Sequence, residues 1–326
     1  MAKHGLLLVA AAAGALMSTP EAGLAQSTEV PGKPSPNAEF QGDIAVTYLA
    51  KSATLKVPGA QIYYEVQGAG PLLLMIPGGP ADAGVFDDLS RHLADRYTVM
   101  AYDPRGNSRS TFDGPPEDLQ LDVQADDAAA LIRALGDGPA YVFGNSGGAQ
   151  IGLNLAARYP ELVRVLVAHE PPSMMLLDDP SEAVADSQGL YDAYQHEGAD
   201  AAMAKFFADN GLEDVPEQAE APPEIAMPPE AAATMARVSG NFEYWLANGV
   251  MPLSLCRPDV DALRAGRPRV VVAIGEQSQG LPIERMGMAL ARELGAVPAP
   301  FPGDHMGFAS QADDFAEALH QALGGQ

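Results

Sequence analysis

The pentad Gly144-Asn145-Ser146-Gly147-Gly148 lies between an apolar run ending at Phe143 and a helical pattern. A G-x-S-x-G sequence at a strand-turn-helix junction exposes the serine hydroxyl on a sharp turn, and its glycines leave the room a Cβ would fill. Ser146 is the candidate nucleophile. The Gly147 N–H, at a helix start, can face a developing oxyanion. Pro77-Gly78-Gly79-Pro80 closes another apolar run and offers a second donor; Pro80 lacks an N–H, so Gly79 is the better candidate.

A serine hydroxyl needs a base. Of six histidines, only His305 sits in a Gly-flanked loop, Gly303-Asp304-His305-Met306-Gly307, that follows an apolar run at the expected sheet edge. His4 is near the amino terminus, His92 and His320 fall in predicted helices, His196 lies in an insertion, and His169 stands inside a predicted strand. The imidazolium then needs a carboxylate to orient it. Glu170, in Ala168-His169-Glu170-Pro171-Pro172, is the favoured candidate, with Glu276 the alternative; Asp304 adjoins His305 and is poorly placed to reach its ring.

Elements of fixed order must bring these residues together. Strands are read at 53–57, 62–66, 71–76, 97–102, 140–143, 163–169, 269–274 and 297–301, the first two as a hairpin across Pro58-Gly59. Helices are read at 82–94, 119–135, 149–158, 282–294 and 312–323. This alternation predicts an α/β fold, a mostly parallel eight-stranded sheet flanked by helices, with the loops at its carboxyl edge. It lapses between Glu170 and about Asp259, where helical stretches, a Pro/Glu-rich loop over 215–230 and no convincing strand read as an inserted helical cap. The expected organisation is a core of 44–170 and 259–326 with a cap over 171–258.

The oxyanion glycine, the D-x-R-G-x-x-x-S loop Asp103 to Ser110, the serine turn, the insertion and the late histidine together resemble the α/β-hydrolase superfamily from Ala53 to the carboxyl terminus, the cap excepted. The resemblance implies a helical cap on an α/β-hydrolase fold, His305 as general base, and 103–110 as a structural loop beneath the site. Many members carry an Asp shortly after the seventh strand; here Ser278 stands at that place, and a serine cannot stabilise an imidazolium as a carboxylate does. The His-Glu-x-Pro element around Glu170, with the loop Asp103 to Ser110, is similar to fungal zearalenone lactonases, in which a Glu after the sixth strand takes over. A Ser at the turn argues against dehalogenase and epoxide hydrolase chemistry, which uses Asp there.

The implied reaction is hydrolysis of a carboxylic ester or lactone through an acyl-enzyme, with no metal or cofactor. Proline iminopeptidase-like and carbon-carbon bond hydrolysis, or ligand binding without turnover, are the alternatives. Within the insertion, Phe242, Tyr244, Trp245, Met251 and Leu253 form an aromatic and apolar stretch, and Trp245 and Met174 are the candidate substrate contacts. Packing of that stretch on the core explains it equally well.

The 326 residues carry 19 Lys+Arg against 43 Asp+Glu, a net charge of -24. So acidic a surface repels phosphate backbones and anionic lipids, which disfavours nucleic acid and membrane partners and leaves a small neutral ligand open; the resemblance implies a small apolar ester or lactone. The lone Cys256 can form neither an internal disulfide nor a zinc site by itself. Lys3 and His4 before an apolar run, then Gly23-Leu24-Ala25, read as a secretory signal over 1–25, followed by a disordered leader over 26–43 and implying export to the periplasm or medium.

Overall fold

The computed structural model describes residues 49–136, 138–210 and 227–324. The signal and leader readings, and most of the predicted 215–230 loop, lie outside those residues. The end of that loop is corrected: Pro229 and Glu230 open a helix, since proline suits a first helical turn, where an N–H has no partner.

Strands β1 (Lys51–Val57) and β2 (Ala60–Gly68) form the expected antiparallel hairpin, with Val57 opposite Ala60 and Gly59 at φ 78° in the turn. The remaining strands are β3 (Leu72–Ile76), β4 (Thr98–Tyr102), β5 (Thr111–Phe112), β6 (Ala140–Asn145), β7 (Val163–His169), β8 (Arg269–Gly275) and β9 (Ala299–Phe301). The order is β1-β2-β4-β3-β6-β7-β8-β9, antiparallel as far as β4 and parallel from there on. Among the described residues the sheet has nine strands, which corrects the expectation of eight. β4 pairs β2 only along Tyr64 to Gly68, and Thr111–Phe112 fills the edge left at Ala60 and Gln61.

Continuous apolar runs such as Leu72–Ile76 mark strands covered on both faces. Alternation sends Leu74 and Ile76 to one face and Leu73 and Met75 to the other. The first face is covered by α2 (Leu121–Leu135), α3 (Gly147–Arg158) and α8 (Pro282–Leu294), the second by α1 (Asp87–Leu93) and α10 (Ala312–Leu323), where Phe143, Phe301 and Phe315 interlock.

Between β7 and β8 the described residues hold helices and no strand: α4 (Ser181–Glu197), α5 (Ala199–Asp209), α6 (Pro229–Gly240), then Phe242–Tyr244, a π-helical turn Trp245–Gly249, Val250–Ser254, and α7 (Val260–Ala265). Leu190, Ala202, Met203, Trp245, Leu246, Val250 and Leu253 form their own small core. A short helix α9 (Gly307–Ser310) precedes α10. No helix among the described residues is long and apolar enough to cross a membrane.

Candidate active site

Three non-glycine residues among those described have positive φ: Ser108 (48°), Ser146 (55°) and Glu170 (47°). Such backbone costs of order 1–3 kcal/mol and persists where its surroundings over-determine it. Ser146 joins β6 directly to α3, and its N–H donates to the His169 carbonyl at 2.9 Å. The glycines around it are required sterically. A Cβ on Gly144 would lie 2.5 Å from the Gly148 carbonyl oxygen, one on Gly148 2.1 Å from the Ile76 oxygen, and one on Gly78 2.6 Å from the Ser146 Cβ.

Glu170 follows β7 on the neighbouring strand. Its N–H donates to the Ala273 carbonyl (2.9 Å), and its buried carboxylate accepts from Gly275 N–H at Oε1 (2.9 Å) and meets His305 Nδ1 at Oε2 (2.6 Å). Burial pushes this carboxyl's pKa up, but the His305 hydrogen bond and charge prevail and bring it down to about 2. Glu170 is thus a carboxylate at any ordinary pH. Glu276, the alternative acid, is solvent-exposed. Ser278 is fully buried beside the Glu170 carboxylate, so the place read as empty of an Asp borders the favoured candidate acid.

His305 stands in the loop between β9 and α9. Its side chain is 16 % exposed, and Nδ1 is committed to Glu170, which leaves Nε2 for a proton in flight. The loop is closed by its own backbone: a Cβ on Gly303 would come within 2.6 Å of Gly307 Cα, and Gln277 N–H donates to the Gly303 carbonyl at 2.9 Å. Asp304 accepts from Met306 N–H (2.8 Å) and so fixes the loop instead of the imidazole.

Sequence reasoning gave His169 no role, yet it lies between these parts. Its Nδ1 pairs with Asn145 Oδ1 at 2.7 Å, and its ring stacks on that of His305 with centroids 6.4 Å apart. Burial pushes its pKa down to about 3, so it is neutral beside the Glu170–His305 pair. Its one legible signal is the cross-strand register that sets Asn145 opposite it.

The two candidate oxyanion donors lie close together: the Gly79 nitrogen is 3.3 Å from where a Gly147 Cβ would sit. Among the described residues neither N–H donates to a protein acceptor. Gly79 has φ 52°, and its turn is held from below by Asn107, whose Nδ2 donates to the Gly79 (3.1 Å) and Ala81 (2.9 Å) carbonyls. The 103–110 loop is a brace, as read. The buried Asp103 carboxylate accepts from Ala83 N–H and from Arg109, and Arg105 forms a two-pronged pair with Asp127.

From the insertion, Asn241 reaches down to the same turn. Its Nδ2 donates to the Pro80 carbonyl (2.7 Å) and Ser108 Oγ (2.8 Å), and its Oδ1 accepts from Ser108 N–H (2.7 Å). Arg237 of α6 pairs with the buried Asp82 beside it.

Trp245 lies over the glycines, its ring 3.6 Å from where a Gly79 Cβ would be, and packs in a T-shape with Phe206, ring centroids 5.1 Å apart. It therefore packs the insertion and roofs the site at once. Together with Gln124, Tyr244 and Leu253 it lines a cavity of about 10 Å³ against Gly79 and Gly147, space for about one water. Met174 is not among the residues lining this cavity; it is buried, with Ser187 Oγ of α4 donating to its sulfur. Cys256 is half-buried, and burial pushes its thiol up to about 11, which leaves it unreactive. Among the described residues no cluster of His, Cys, Asp or Glu could hold a metal ion.

Comparison with known proteins bears on the fold and the family. A family model for the alpha/beta hydrolase fold matches residues 71–211. A zearalenone hydrolase of Bionectria ochroleuca is 29% identical over 274 residues, 81% of this chain and 95% of the relative. The crystal structure of a hydrolase from Pseudomonas aeruginosa PA01 superimposes with a TM-score of 0.64 at 21% identity, covering 84% of this chain and 98% of that one. With an uncharacterized hydrolase of Bacillus subtilis (strain 168), YraK, 34% identical over 278 residues, 83% of this chain and 96% of its own length, the chain belongs to the α/β-hydrolase superfamily.

Proposed function

We propose that this hydrolase cleaves a carboxylic ester or lactone through an acyl-enzyme on Ser146. The observation that carries the reading is the 2.6 Å hydrogen bond between His305 Nδ1 and the buried Glu170, one residue beyond the His169 carbonyl that holds the Ser146 turn. His305 Nε2 takes the hydroxyl proton as Ser146 Oγ attacks the carbonyl carbon. Glu170, ionised and fixed by Gly275, stabilises the imidazolium. The Gly79 and Gly147 amides receive the oxyanion, and their freedom from protein acceptors suits them to it. The leaving alcohol takes the proton from His305, and water, deprotonated by the same ring, releases the acid.

Trp245 closes the oxyanion side, which favours a substrate with a flat or apolar face. The likeness to a zearalenone hydrolase supports a lactone among the candidates. The amino-terminal 1–25 pattern supports export of the enzyme. Intact mass after treatment with a fluorophosphonate, beside hydrolysis of p-nitrophenyl esters, tests the reading. One adduct and ester turnover, both lost in Ser146→Ala, are expected; neither in the wild type contradicts it and favours a ligand-binding protein on this fold.

A further inference from the structure

We infer that the small cavity beside Gly79 and Gly147 is a hydroxyl subsite, and that the preferred substrate is an ester or lactone whose acyl part carries a hydroxyl close to the carbonyl. The inference rests on the serine-hydrolase reading above and adds a substrate class to it.

Two side chains lining the cavity have polar atoms with no hydrogen-bond partner among the described residues: Gln124 Oε1 and Trp245 Nε1. Both residues are deeply buried, at 1% and 7% exposure. One is a lone acceptor and the other a lone donor. The Gln124 amide is oriented by its other end, where Nε2 donates to the Arg105 carbonyl at 3.4 Å. Its Oε1 is therefore the end left over.

The Gly79 and Gly147 N–H groups are reserved for the oxyanion in the reading above, and the other polar side chains of the lining are engaged. Arg105 Nε and Nη2 bond Asp127, Asn107 Nδ2 bonds the Gly79 and Ala81 carbonyls, and the Tyr244 hydroxyl donates to Glu117. The remaining walls include Leu119, Ile151 and Leu253, which offer nothing polar.

Size and bonding select the occupant. A volume of about 10 Å³ admits a group the size of one water. A hydroxyl is that size and is donor and acceptor at once, so it can donate to Gln124 Oε1 while accepting from Trp245 Nε1. A carbonyl would satisfy the indole alone, an ammonium the amide alone, and a carboxylate is too large and is repelled by Oε1. A methyl group would leave both atoms unpaired in a dry site, which is the arrangement that discriminates hydroxylated from deoxy substrates most sharply. Contact of the cavity with Gly79 and Gly147 points to a hydroxyl near the acyl carbonyl, so the second and the third acyl carbon are both tried.

The experiment compares kcat/KM for p-nitrophenyl butyrate, 2-hydroxybutyrate and 3-hydroxybutyrate, each corrected for its spontaneous hydrolysis, in wild type, Gln124→Leu and Trp245→Phe. The wild type is expected to favour at least one hydroxy ester about tenfold or more, and each substitution to bring that ratio toward one. Wild-type parity overturns the subsite, as does a preference that survives both substitutions; in either case turnover of all three esters leaves the serine-hydrolase reading standing. Absence of any turnover and of fluorophosphonate labelling overturns both.

Discussion

Ser146, Glu170 and His305 each carry a local signature that survives without the fold: a glycine-flanked serine turn, a carboxylate at a strand tip, a histidine in a glycine-bounded loop. Gln124, Asn241 and His169 carry none. Gln124 shares a stripe of α2 with Ala128 and Leu131, and a polar residue among apolar ones at helical spacing is its only trace. Competition between Glu170 and Glu276 could not be decided from spacing, because it depends on which carboxylate is buried against the imidazole. Two consequences belong to this scale. Gly78→Ala would force a Cβ into Asn145 and Ser146, so turnover is expected to fall about a hundredfold or more with the transition-state site disrupted, checked by ester hydrolysis alongside a thermal melt. His169 titrates at about 3 in the fold against an ordinary 6.5. Its lowered pKa means the unfolded chain binds the proton first, so this contribution is full above about pH 6.5 and is lost as pH falls toward 3. Urea midpoints between about pH 7 and pH 4 are expected to fall less steeply in His169→Phe than in wild type; equal slopes would remove His169 from the acid response.

At the scale of elements, the parallel strands were legible because they are buried on both faces and read as apolar runs, of which Leu72–Ile76 and the Val165 to Ala168 stretch of β7 are the plainest. Helices 282–294 and 312–323 were legible to the residue, since one opens on proline and each is followed by glycine. The two-residue β5 was not, for no periodicity exists over two residues. Nor did the sequence reveal how the insertion grips the core. Asn241 and Arg237 tie α6 and its exit to the turn that presents Gly79, so the insertion is expected to set the oxyanion donor as well as roof it. Asn241→Ala leaves the Pro80 carbonyl and Ser108 N–H without these bonds. A kcat lowered about tenfold with KM changed less than about twofold is the expected signature of lost transition-state stabilisation. A raised KM with kcat intact would instead confine the insertion to substrate binding.

For the whole molecule, the surplus of 43 acidic over 19 basic residues makes a field that every approaching substrate meets. Anionic esters should be disfavoured at low salt and relieved by screening, neutral ones indifferent. Between about 20 and about 200 mM salt, kcat/KM for a carboxylate-bearing ester is expected to rise about twofold or more while that of p-nitrophenyl butyrate stays level. A flat anionic profile would show that the acidic surface lies too far from the site to act. The fold itself needed little beyond the alternation of strands and helices to be read, because its glycine turns and apolar strands agree with one another locally and globally. The substrate was not legible, because the unpartnered buried atoms of the proposed subsite come from α2 and the insertion, which lie far apart in the chain.

The account turns on Glu170 as the carboxylate that serves His305. The most direct measurement is kcat for p-nitrophenyl butyrate in Glu170→Gln beside Glu276→Gln, with both variants verified as folded. A fall of about 10³- to 10⁴-fold in Glu170→Gln, with Glu276→Gln near wild type, is the expected result. Turnover that survives in Glu170→Gln and collapses in Glu276→Gln would contradict it.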